Sequence, residues 1–165
     1  MSVDALDAGV GGQAIALIGG ASTRSLSDRL AAAGARVVEG APLQPVPATI
    51  AGTPVTGWVV TLEHLSTAQI VADRLTDLAA ALQETDTVRR VVVVVVDASA
   101  AAAAVARTAA IYATVHTLDR DVRINVVVTP PGTDADARDV TLAFLSGRLD
   151  AVRGQTFVVQ TPEAA

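Results

Sequence analysis

Six consecutive valines, Val91–Val96, constrain the fold of this chain more than any other feature. A β-branched side chain is stiff at χ1 and favours extended backbone, and successive side chains of a strand point to opposite faces. A strand that is apolar at every position is therefore buried on both sides, as in the middle of a parallel sheet. The run is followed by Asp97-Ala98-Ser99 and then by an alanine-rich stretch, residues 100–118, without glycine or proline. That composition predicts a helix lying close to its neighbours. Ile124 and Val126–Val128 then return to the strand pattern. Strand, helix, strand in this order is a right-handed crossover between parallel neighbours.

A chain of 165 residues is expected to form one domain with a proper core, and with 51% hydrophobic but only 2% aromatic residues that core is aliphatic. All twelve basic residues are arginine, cysteine is absent, and Tyr112 is the single tyrosine. Chemistry that needs a lysine ammonium or a thiolate is thereby excluded. A net charge of −5 and a pI near 4.8 argue against nucleic acid or an anionic membrane as partner. The valine run is too short to span a bilayer, and the acidic start, Met1–Gly12, does not read as a signal peptide. The expectation is a cytoplasmic protein, loose at residues 1–12 and 161–165.

Taken in order, Ala14–Ile18 is a short apolar strand ending at Gly19-Gly20, and Leu26, Leu30 and Ala33 then follow at helical spacing up to Gly34. Ala35–Val38 is the next strand. The Gly19-Gly20-Ala21-Ser22 turn has two readings: a place where backbone N–H groups meet a phosphate, or a turn serving chain geometry alone. Residues 39–54, with four prolines, predict a surface excursion carrying a short edge strand. Val55–Leu62 is a third buried strand anchored by Trp58, with Glu63-His64 at its carboxyl end. Those two form an acid/base pair or a solvated loop pair. Ser66 or Thr67 caps a helix with the stripe Ile70, Leu75, Leu78 and Leu82, closed by residues 84–87. Beyond the central passage, Thr129-Pro-Pro-Gly132 ends the strand and Thr133–Asp136 opens a helix carrying Val140, Leu142, Phe144 and Leu145. The last strand is expected over Gly154–Gln160.

Several of these stretches resemble the short-chain dehydrogenase/reductase family, its ketoacyl-reductase branch above all. Arg123-Ile-Asn-Val-Val127 resembles the family's Arg-Val-Asn strand and Pro131-Gly132 its Pro-Gly turn. Ala143-Phe-Leu-Ser146 resembles a conserved helix end, Arg153-Gly-Gln-Thr-Phe157 the closing strand, and residues 14–38 the opening βαβ unit. The resemblance implies a Rossmann-like doubly wound parallel sheet with helices on both faces, shortened relative to full-length relatives. It also implies NAD or NADP as cofactor and a Tyr-x-x-x-Lys pair assisted by a serine. Aligned through Asn125, the tyrosine position falls on Ala104 and the lysine position on Thr108, and Ser99 stands where the serine loop starts. Arg24 and Leu26 occupy the places of cofactor-loop glycines, Thr61–His64 replaces the Asn-Asn-Ala-Gly stretch, and Glu39 alone imitates the ribose-binding acid. Gly19, Gly20 and Ser22 are left as vestigial cofactor-binding candidates. Tyr112 and His116 share a helix face but sit about two turns too late to stand in for the lost pair.

What the resemblance implies is a non-catalytic, reductase-like subunit with no catalytic residues, no cofactor and no metal. It would dimerise with itself or with an active ketoreductase and stabilise it. The alternative is an NAD(P)-binding oxidoreductase using Glu63, His64 or Ser99 as unusual acid/base groups; a small-ligand sensor at the switch-point crevice is a third. For the alanine-rich helix, a wheel predicts Ala104, Thr108, Ile111, Val115 and Leu118 toward the sheet. Val105, Ala109, Tyr112 and His116 fall on the adjacent face, near a partner or packed within the core.

Overall fold

The computed structural model describes residues 9–19, 24–40, 46–63, 68–96, 100–130 and 133–159. Its elements are β1 (Ala14–Gly19), α1 (Arg24–Ala32), β2 (Arg36–Gly40), β3 (Thr49–Ile50), β4 (Thr53–Glu63) and α2 (Ala68–Gln83). They continue with β5 (Arg90–Val96), α3 (Ala100–His116), a 3-10 turn (Leu118–Arg120), β6 (Arg123–Thr129), α4 (Asp134–Leu145) and β7 (Thr156–Val158). Six of the strands form a parallel sheet in the order β2-β1-β4-β5-β6-β7, and β3 is attached antiparallel to β4. This is the doubly wound, Rossmann-like α/β architecture expected from the sequence.

The valine strand lies between β4 and β6, with Val93 opposite Val60 on one side and Val126 on the other. Its side chains divide by parity. Val91, Val93 and Val95 join Trp58, Leu78, Leu82, Ala106 and Ala110 beneath α2 and α3. Val92 and Val94 join Leu17, Leu30, Leu142 and Leu145 beneath α1 and α4. All five of these valines are buried, each adding roughly 1.5–3 kcal/mol of apolar burial. Trp58 is 2% exposed, as its anchoring role requires, and its indole N–H has no hydrogen-bond partner among the described residues.

Local chemistry sets the element ends. The expected edge strand is β3, joined to β4 through Ala51 and Gly52, both with positive φ (47° and 79°). Two consecutive left-handed residues make the tight hairpin turn whose twist matches its strands. Pro54 opens β4 at that hairpin, where a missing N–H breaks no parallel ladder. The stripe of α2 is buried at Leu78 and Leu82, while the side chains of Ile70 and Leu75, and the capping residues Ser66 and Thr67, lie outside the described residues. In α4, Leu142, Phe144 and Leu145 are buried as expected.

Three expectations are corrected. The last strand covers only Thr156–Val158 of the expected 154–160, because Gly154 turns through a φ of 67° and Gln160 falls outside the described residues. Val10, in the stretch expected to be loose, is 0% exposed in the core, and its neighbour Gly12 donates to the Gly34 carbonyl. The predicted inner face of α3 is its outer one. Ala106 and Ala110 rest on the sheet, whereas Ala104, Thr108, Ile111 and Val115 are exposed.

Candidate functional site

In an open parallel sheet, ligands bind outside the carboxyl ends of the strands, at the point where the strand order reverses. Here that point lies between β1 and β4. Gly19 stands on it with φ 122°, and a Cβ there would come within 2.3 Å of the Thr61 carbonyl oxygen on β4. Chain geometry alone thus requires this glycine. Gly20 and Ser22 lie outside the described residues, as do His64 and Ser99. Leu26, at a place where a cofactor loop would carry glycine, is 5% exposed and part of the core, so it acts as a packing residue. Glu39 is exposed on the edge strand β2, and Glu63 is partly buried at the end of β4.

At the same edge, β6 ends in a polar contact that the sequence reading missed. The hydroxyls of Thr129 and Thr133, 1% and 8% exposed, lie 2.5 Å apart, and Thr133 Oγ1 also donates to the Pro130 carbonyl at 2.8 Å. The Thr-x-x-x-Thr spacing across a strand end was its only signal. The pair is closed on itself and tethers the start of α4 to β6.

The shifted titrating groups sit at the opposite, amino edge. Arg90 opens β5 and grips Asp150 in bidentate fashion, Nε to Oδ1 at 2.8 Å and Nη2 to Oδ2 at 3.0 Å. That hydrogen-bonded pairing holds the Asp150 carboxyl below its ordinary range and raises the Arg90 guanidinium, against a smaller opposing effect of burial. Arg123, opening β6, donates to the Asp150 carbonyl at 2.7 Å and to Asp121 at 2.9 Å, and Arg153 also reaches Asp121 at 3.1 Å. Gly147 makes room for this cluster, since a Cβ there would lie 2.6 Å from Arg90 Nη2. Arg120 donates to the Leu82 carbonyl in the last turn of α2 and to the Thr85 carbonyl just past it, and pairs with Asp86. Arginines bonded in this way clamp the ends of the elements they join.

The positions where the resemblance places the tyrosine and lysine, Ala104 and Thr108, are exposed on α3, on the side turned from the sheet. Thr108 Oγ1 donates back to the Ala104 carbonyl at 3.0 Å. Tyr112 is 55% exposed on the same helix, and the His116 side chain lies outside the described residues, so the structure does not describe how the two stand to each other. What it does bring together is apolar surface. Ile111 (50% exposed), Tyr112 and Val115 (58%) lie within two turns of one helix, and Val158 on β7 is 59% exposed. Three large side chains of one helix are thus turned to solvent rather than into the core.

The fold therefore places this chain in the class of Rossmann-like α/β proteins. No protein-family model matches it, and no curated protein matches it. Among solved structures it is similar to the promiscuous reductase LugOII, which catalyses keto-reduction at C1 during lugdunomycin biosynthesis. The TM-score is 0.57 at 11% sequence identity, over 90% of this chain and 95% of that one. The two share a fold. No helix among the described residues is long and apolar enough to cross a membrane.

Proposed function

We propose that this chain is a non-catalytic, ketoreductase-like subunit of the short-chain dehydrogenase/reductase type. It associates through the outer face of α2 and α3, with itself or with an active ketoreductase that it stabilises. The observation that carries the reading is the exposed apolar group Ile111, Tyr112 and Val115 on α3, at the place where an enzyme of this type is expected to pair. Two features of the sequence support it. The chain has no lysine, and alanine and threonine occupy the positions matching the tyrosine–lysine pair. A partner held on α3 would act by mass action, each subunit ordering the other.

Size-exclusion chromatography with light scattering tests this, on the chain alone and mixed with an intact ketoreductase, alongside calorimetric titration with NADPH. The expected outcome is a dimer, homo- or heteromeric, that Ile111→Asp dissociates without loss of helical circular dichroism, and no cofactor heat. A monomer under every condition overturns the reading. So does NADPH binding with turnover of a ketone.

A further inference from the structure

We draw no further inference here: the strongest candidate, the cluster of Arg90, Arg123 and Arg153 at the amino edge of the sheet, carries nothing, because Asp121, Asp150 and a backbone carbonyl already hold these side chains in the clamp described above.

Discussion

Asp150 shows how a single side chain can tie several parts of the fold together. Its carboxylate accepts two hydrogen bonds from Arg90 at the foot of β5, and its carbonyl accepts one from Arg123 at the foot of β6. With its folded pKa depressed, its contribution is present in full above the ordinary carboxylate range and lost as pH falls through its own lower value. The side chain is 41% exposed, so solvent screening limits the pair to at most about 1 kcal/mol. Asp150→Asn is expected to lower the urea midpoint modestly at pH 7. The difference from the parent protein should vanish in acid, and paired denaturation curves at the two pH values check it.

At the scale of elements, α3 has two unlike sides made from nearly the same residue. Ala106 and Ala110, 0% and 1% exposed, let the helix backbone settle on the sheet. Ala110→Leu would wedge three further heavy atoms between α3 and the sheet and is expected to cost about 1–3 kcal/mol, measured by urea denaturation. The valine strand was legible from sequence because a wholly apolar run has one comfortable environment, and the αβ order followed from it. The orientation of α3 was not legible, because alanine is as acceptable against a sheet as against solvent. The wheel puts Ile111 and Val115 with Ala104, Thr108 and Leu118 on the face expected inward, and it is Ala106 and Ala110 that pack. The carboxyl-edge candidates fared differently. Gly19 was found where expected, and its φ and its closeness to Thr61 give a geometric cause. The Thr129–Thr133 contact escaped notice because two threonines four apart carry no distinctive pattern in sequence.

At the scale of the whole molecule, charge opposes self-association. Each copy carries a net charge of −5, and screening lengths fall from about 10 Å at 0.1 M salt to about 3 Å at 1 M. A homodimer built on the exposed apolar group Ile111, Tyr112 and Val115 of α3 should therefore tighten as sodium chloride is added, and its melting temperature should rise with protein concentration. Sedimentation equilibrium and thermal melts at two salt levels read both effects. A dimer that loosens with salt would point instead to an interface of opposed charges. The arginine–aspartate clamp, meanwhile, fastens β5, β6 and the segment after α4 at the amino end of the sheet, far from the loops where this architecture keeps its chemistry. Such a layout separates what must stay from what is free to drift. Selection can rewrite one rim of the molecule, even to the loss of an activity, while the opposite rim goes on specifying the same scaffold.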